Sequence, residues 1–147
     1  GPLAGFPMQD VRVIVYEGKH HPVDSKEVAF VAAGKRAFLD AIGKARPIVL
    51  EPIVNIQISA PAANMGDIAG DIAAKRGQIS GTESTAGGLV TIAGRVPLSE
   101  LNNYQARLKS VTAGQGSFVM ELSHYEPVPP GVQQQLAGQY KHVDVDQ

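Results

Sequence analysis

A short stretch near the start of the chain gathers most of its chemically capable residues: Lys19, His20, His21, Asp24 and Ser25. Two imidazoles and a carboxylate could begin a zinc site, but such sites need further ligands and the chain has no cysteine to supply them. A turn that presents imidazoles and an amine can instead contact RNA. The pattern therefore favours an RNA-contacting turn, or a solvated turn with no partner, over a metal site.

The sequence lacks the loops that bind nucleotide phosphates. Gly18-Lys19, Gly34-Lys35 and Gly43-Lys44 are followed by His, Arg and Ala, whereas a Walker loop requires Ser or Thr at that position. Gly114-Gln115-Gly116 leaves a predicted helix and enters a strand, which reverses the order of a dinucleotide-binding loop. No serine lies in a nucleophile elbow, and no pair of carboxylates is suitably spaced. We therefore expect no catalytic residue, no cofactor site and no metal site in this chain.

The composition is that of an ordinary folded chain of 147 residues, with 44% hydrophobic and 18% charged residues. Its 13 basic and 14 acidic residues exclude a strongly basic nucleic-acid coat protein and an acidic tail protein. The lack of cysteine excludes disulfides and fits a reducing compartment. No apolar run approaches the roughly 20 residues of a membrane span, and no signal peptide is evident. The first residue is Gly rather than Met, which indicates a piece of a longer protein.

Residues 1–50 predict a strand, a turn and a helix. Alternation over residues 11–16 has the period of a strand. Asp24 or Ser25 can cap the helix that follows, whose apolar stripe runs from Phe30 to Ala45 before Pro47 ends it. Residues 127–147 predict a C-terminal tail with a short helix at residues 133–136.

Residues 51–126 predict the order β-α-β-β-α-β, a ferredoxin-like α+β arrangement in which two helices cover one face of a four-stranded antiparallel sheet. Val54, Ile56 and Ile58 alternate with polar residues, which predicts a strand at 54–58. The other predicted elements are a helix from 64 to 77, a hairpin of strands 78–84 and 89–96 around Gly87-Gly88, a helix at 101–111 and a strand at 117–125. Asn64 is expected to cap the first helix, and Gly77 is expected to close it in the left-handed conformation. We expect the side chains of three residues of the last strand to face the core, namely Phe118, Met120 and Leu122.

Short motifs in a fixed order connect the sequence with a known family. They include His21-Pro22-Val23-Asp24-Ser25, Leu50-Glu51-Pro52-Ile53, Lys75-Arg76-Gly77-Gln78-Ile79, Val96-Pro97-Leu98-Ser99-Glu100 and Ser123-His124-Tyr125-Glu126-Pro127. The series resembles the C-terminal part of elongation factor G, the ribosomal translocase, to about residue 132. The resemblance implies that residues 1–50 are the second half of domain IV, a partial βαβ-type (ribosomal S5 domain 2-like) segment. It also implies that residues 51–126 are domain V, with a ferredoxin-like fold.

The resemblance implies a cytoplasmic translational GTPase that promotes translocation of tRNA and mRNA, or ribosome recycling. GTP and magnesium are then expected in the parent protein, whose GTPase domain is not in this chain. The implied partners are ribosomal RNA, stalk-base proteins and the tRNA–mRNA at the decoding site, with no membrane. The candidate ribosome or RNA contacts are Lys19, His20, His21, Asp24, Ser25, Lys75 and Arg76.

The loop that holds His21 matches the family's tip loop with two departures. His21 occupies the position of the tip histidine, while His20 and Pro22 stand where the family commonly has Tyr and Asp. These departures leave open whether the parent is the housekeeping translocase or a recycling or elongation-factor-G-like paralogue. A free-standing ferredoxin-like module that binds RNA or protein is the alternative from a different class.

The resemblance also has a consequence for association. Domain IV of the family needs its first half to complete its sheet. We therefore expect an unpaired strand edge and an open apolar surface near residues 11–42, and formation of a homo-oligomer by the isolated chain.

Overall fold

The computed structural model describes residues 1, 3–19 and 26–140, which fall into two compact units. One unit comprises residues 50–127. The other comprises the described residues of 1–49 together with residues 128–140.

Residues 50–127, all of them described, form an antiparallel sheet with two connecting helices. The strands are β1 (Leu50–Pro61), β2 (Gln78–Ser84), β3 (Leu89–Pro97) and β4 (Ser117–Pro127), and the helices are α2 (Met65–Ala74) and α3 (Tyr104–Val111). The strand order across the sheet is β2-β3-β1-β4, and all neighbouring strands are antiparallel. The predicted ferredoxin-like fold is therefore confirmed.

The core of this unit lies where the two helices pack on the sheet. The sheet contributes apolar residues of the central strands β1 and β3, and the helices contribute Ile68, Ile72, Tyr104 and Leu108. Side chains of a strand alternate between its two faces, so the alternating residues Val54, Ile56 and Ile58 of β1 all face this core.

Strand β4 lies at an edge of the sheet, and two of its three predicted core residues depart from the prediction. Phe118 packs against the core as expected, with its ring centroid 5.2 Å from that of Tyr104. Met120 and Leu122 are exposed instead of buried. They lie opposite Ile56 and Val54 on β1, so they share the face of the core. An edge strand has a neighbour on one side only, and its side chains therefore extend past the packed region.

Helix α2 begins and ends differently from the prediction. A 3₁₀ turn over residues 62–64 precedes the helix, so Asn64 already has helical φ and ψ angles of −93° and 0° and is not extended as a capping residue would be. Its side-chain amide donates instead to the carbonyl oxygen of Val111 at 3.0 Å. At the other end Arg76, not Gly77, adopts the left-handed conformation, with φ of 60°. Glycine is needed at position 77 for space, because a Cβ there would lie 2.7 Å from the side chain of Ile72.

The hairpin between β2 and β3 forms as predicted. Gly87 and Gly88 have φ of 80° and 76°, a region that glycine enters without steric cost. The backbone N–H of Thr85 donates to the carbonyl oxygen of Leu89 at 2.8 Å and closes the turn.

The other unit contains helices α1 (Glu27–Lys44) and α4 (Pro130–Gln139). The predicted helix of the first segment is confirmed, but the predicted strand over residues 11–16 is not formed. Among the described residues every strand belongs to the sheet of residues 50–127, so this segment has no partner, and a lone strand leaves its backbone groups unpaired. The short helix predicted at residues 133–136 of the tail forms as part of the longer α4, and Gln133 accepts a hydrogen bond from the backbone N–H of Val49 at 3.2 Å.

Most described residues of the range 11–42, where an open apolar surface is expected, are exposed. Helix α1 has no buried residue, and Val15, Val28 and Val31 are exposed. Self-association through this surface stays a prediction.

In the part of the chain that the structure describes, no helix combines the length and the apolar character needed to cross a bilayer.

Candidate functional site

Lys75 and Arg76, two of the predicted contact residues, lie in the turn between α2 and β2. The backbone N–H groups of Lys75 and Gly77 donate to the carbonyl oxygens of Asp71 and Ile72 at 3.0 and 2.9 Å, which closes the helix. The left-handed conformation of Arg76 reverses the chain at this point. A non-glycine residue in this conformation persists only where the surroundings hold it.

Two carboxylates bind the guanidinium of Arg76. Nη1 and Nη2 donate to the two carboxylate oxygens of Glu51 at 2.6 and 2.9 Å, and Nε donates to Glu100 at 3.0 Å. The hydrogen bonds to Glu51 raise the pKa of Arg76 above its ordinary value. Glu51 is only 7% exposed, so Arg76 supplies this buried carboxylate with two charge-assisted hydrogen bonds. The structure thus gives Arg76 a positioning role in the turn, and its contact with RNA stays a prediction.

The ammonium group of Lys75 lies over an aromatic ring. Its Nζ is 5.8 Å from the ring centroid of Tyr104, within the range of a cation–π interaction. Because Tyr104 belongs to the core and Lys75 is partly exposed, this contact holds a positive charge at the surface beside the Arg76 turn.

The structure does not bring the whole predicted site together. Lys19 is described and exposed, and it makes no ion pair among the described residues. His20, His21, Asp24 and Ser25 lie outside the described residues. No group of His, Asp and Glu side chains within residues 1, 3–19 and 26–140 is arranged to hold a metal ion.

Sequence reasoning missed Glu51 and Glu100 as partners of Arg76. They are 25 and 24 residues away along the chain, on opposite sides of Arg76, and neither stands in a local pattern that signals an ion pair. Both residues stand in motifs that carry the family resemblance, but neither motif indicates a partner for Arg76. A contact of this range becomes visible only when the start of β1 and the end of β3 are placed side by side.

The hydroxyl of Tyr104 gives a testable prediction at this site. It is buried and has no hydrogen-bond partner among the described protein groups, and desolvation raises the pKa of Tyr104 to about 12. We expect Tyr104→Phe to leave the free energy of unfolding unchanged, or to raise it by about 1 kcal/mol, because an unpaired buried hydroxyl is costly. Tyr104→Leu is the control, and it should lower that free energy because the ring contacts with Phe118 and Lys75 are lost. Urea unfolding followed by circular dichroism measures both, and a clear loss in the Phe variant would show that the hydroxyl stabilises the fold.

Comparison with protein families matches nearly the whole chain. The family model for elongation factor G, domain IV, matches residues 1–46, and the model for the elongation factor G C-terminus matches residues 48–136. The chain is 40% identical over 136 residues to an elongation factor G-like protein of Thermotoga maritima and 42% identical over 139 residues to elongation factor G of Aquifex pyrophilus. These alignments cover 92% and 95% of this chain but 20% of each relative. The chain thus spans about a fifth of the length of these curated relatives.

A solved structure supports the same relationship. A crystal structure of a Thermus thermophilus protein matches 93% of this chain and 21% of its own length, with a TM-score of 0.75 and 40% sequence identity. At this identity the likeness extends to sequence as well as to fold.

Proposed function

We propose that this chain, which belongs to the elongation factor G family, is the C-terminal, ribosome-contacting part of a translational GTPase that promotes translocation of tRNA and mRNA. The observation that carries the proposal is the match of two elongation factor G family models in consecutive order, over residues 1–46 and 48–136. The ferredoxin-like fold of residues 50–127 is compatible with this function but occurs in many others.

The chemistry of GTP is assigned to the rest of the parent protein. The 147 residues contain no loop of the G-x-x-x-x-G-K-[ST] type, so GTP and magnesium would bind outside them. The part of the reaction assigned to this chain is mechanical: it contacts ribosomal RNA, stalk-base proteins and the tRNA–mRNA in the cytoplasm. Its two units would then supply two separate contact surfaces.

Each unit offers one set of candidate contacts. In the first unit, the set comprises Lys19 and the loop with His20, His21, Asp24 and Ser25. In the unit of residues 50–127, Lys75 supplies an accessible positive charge that can bind a phosphate, and Arg76 holds the turn that presents it.

Replacing His21 by Ala in the full-length parent tests the proposal. His21 can donate a hydrogen bond to an RNA phosphate or ribose, and a charge-assisted hydrogen bond is worth about 1.5–3 kcal/mol. If it forms mainly in the transition state of translocation, we expect the variant to slow tRNA movement about ten- to a hundredfold. Ribosome-stimulated GTP hydrolysis should remain unchanged, because the nucleotide would bind elsewhere in the parent. Rapid kinetics on ribosomes measures the two rates separately.

His124→Ala is the matched control, because it removes an imidazole from β4, far from the proposed tip loop in sequence. It should leave tRNA movement unchanged. Unchanged movement in the His21 variant, or an equal loss of hydrolysis, would contradict the proposed contact.

Ribosome recycling is the second candidate for the parent protein. Two observations favour a test of this function. His20 and Pro22 depart from the tip loop of the family, and the chain is nearly equally identical to an elongation factor G-like protein and to elongation factor G. Wild-type parent protein that separates ribosomal subunits but does not move tRNA would assign recycling.

A further inference from the structure

Three residues near the end of β4 form a hydrogen-bonded chain that the candidate contacts do not include. The hydroxyl of Ser123 lies 2.8 Å from Nδ1 of His124, and Nε2 of His124 lies 2.6 Å from Oε1 of Glu126. Nucleophilic sites in proteins combine a nucleophile, a base within hydrogen-bond reach of it and a third group that orients the base. The order serine, histidine, carboxylate is that of a catalytic triad with the two ring nitrogens exchanged.

A β-bulge brings Ser123 and His124 together. Successive side chains of a regular strand point to opposite faces, so a serine and a histidine adjacent in sequence would not meet. In the pairing with β1, the register passes from Leu122 to His124 while β1 advances by a single residue, so Ser123 is the extra residue of the bulge. A bulge bends the strand and redirects a side chain, which accounts for the contact between the hydroxyl and the imidazole.

The carboxylate of Glu126 determines which ring nitrogen of His124 carries the proton. An ionised carboxylate only accepts hydrogen bonds, so Nε2 donates to Glu126. Nδ1 of the neutral imidazole is then an acceptor, and the hydroxyl of Ser123 donates to it. Nδ1 is therefore within reach of the proton that a general base has to remove when the serine oxygen attacks.

The hydroxyl of Ser123 is accessible to a reagent in solution. Strand β4 lies at an edge of the sheet and is paired only with β1. The side chains of His124 and Glu126 are 39% and 55% exposed, and Ser123 is only partly buried. Ser117, at the start of the same strand, is also exposed, but its side chain makes no hydrogen bond within residues 1, 3–19 and 26–140. The imidazole thus distinguishes Ser123 from this second serine.

We propose that Ser123 is a nucleophilic serine that accepts the acyl group of an activated ester, with His124 as the general base and Glu126 as the residue that orients the imidazole. Oγ of Ser123 forms a bond with the carbonyl carbon while Nδ1 of His124 takes the hydroxyl proton. The bond from that carbon to the leaving oxygen breaks, and the leaving group departs with its electron pair. The imidazolium then releases its proton to water. The product is an acyl-serine, so the modification of Ser123 is separate from the contacts proposed for translocation.

Acetylation by p-nitrophenyl acetate tests this site in the 147-residue chain. Peptide mass spectrometry should find an acetyl group on Ser123 and none on Ser117. General base catalysis contributes about 10²–10⁴-fold, so His124→Gln should slow the acetylation of Ser123 by about a hundredfold or more. Ser117→Ala is the matched control and should leave the rate at Ser123 unchanged. Acetyl groups confined to amines, or equal rates at Ser123 in the wild type and in His124→Gln, would overturn the proposal.

The tautomer of His124 gives a second measurement, which also tests the positioning role of Glu126. Nitrogen-15 NMR distinguishes the two neutral forms of imidazole, and the wild-type ring should carry its proton on Nε2. Glu126→Ala should lower the population of this form and slow acetylation of Ser123, whereas Glu126→Asp should restore part of both. A wild-type proton on Nδ1 would overturn the proposal, because the hydroxyl of Ser123 would then have no base.

Discussion

Replacing Arg76 by Ala is expected to lower the free energy of unfolding of residues 50–127 by about 3–5 kcal/mol, the cost of leaving a buried charge without its partner. Glu51 is 7% exposed and receives two hydrogen bonds from Arg76. Glu100 loses its partner in the same variant. Urea unfolding followed through the amide resonances of β1 reports this loss in the unit concerned.

Arg107→Ala is the matched control for the loss of Arg76. Arg107 also forms a bidentate ion pair, with Asp71 at 3.1 and 3.2 Å, but its side chain is exposed. Exposed pairs are worth about 1 kcal/mol or less, so the control should lose far less stability. Equal small losses in the two variants would mean that Glu51 reaches water when Arg76 is removed.

A second variant separates charge from backbone conformation at position 76. Arg76 has φ of 60°, a value that glycine adopts at lower cost than alanine. Arg76→Gly should therefore be more stable than Arg76→Ala, by roughly 1 kcal/mol, while both lose the pairing with Glu51. If the two variants were equally stable, the left-handed turn would contribute nothing to the loss.

The elements that could be predicted from sequence are those whose signals are local. Alternation located β1, the Gly87-Gly88 pair located the hairpin, and the apolar stripe beginning at Phe30 located α1. Each of these signals depends on residues that are near one another in the chain, so local periodicity and turn residues are sufficient to predict these elements.

The features that sequence did not predict depend on distant residues. Whether residues 11–16 form a strand depends on a pairing partner, and the exposure of Met120 depends on where the sheet ends. The pairing of Arg76 with Glu51 connects residues 25 positions apart. Short-range patterns carry no information about these contacts. For the same reason the sequence predicted Arg76 as a candidate ribosome or RNA contact without its two carboxylate partners, Glu51 and Glu100.

Replacing Ile58 by Ala is expected to lower the free energy of unfolding by about 2–5 kcal/mol, the range for a large-to-small change in a packed core. Ile58 is fully buried on the central strand β1, with Ile92 opposite on β3 and Phe118 opposite on β4. Its neighbours on both sides belong to the sheet, which limits how far they can close the cavity.

Ile79→Ala removes the same atoms from an edge and serves as the control. Ile79 lies on β2 and is 38% exposed, so less apolar surface returns to water and the cavity opens to solvent. We expect this variant to lose about 1 kcal/mol or less. Urea unfolding of both proteins, followed by circular dichroism and the β1 amide resonances, gives the difference. If Ile58→Ala lost no more stability than Ile79→Ala, then burial of Ile58 between Ile92 and Phe118 would not be a main source of stability of this unit.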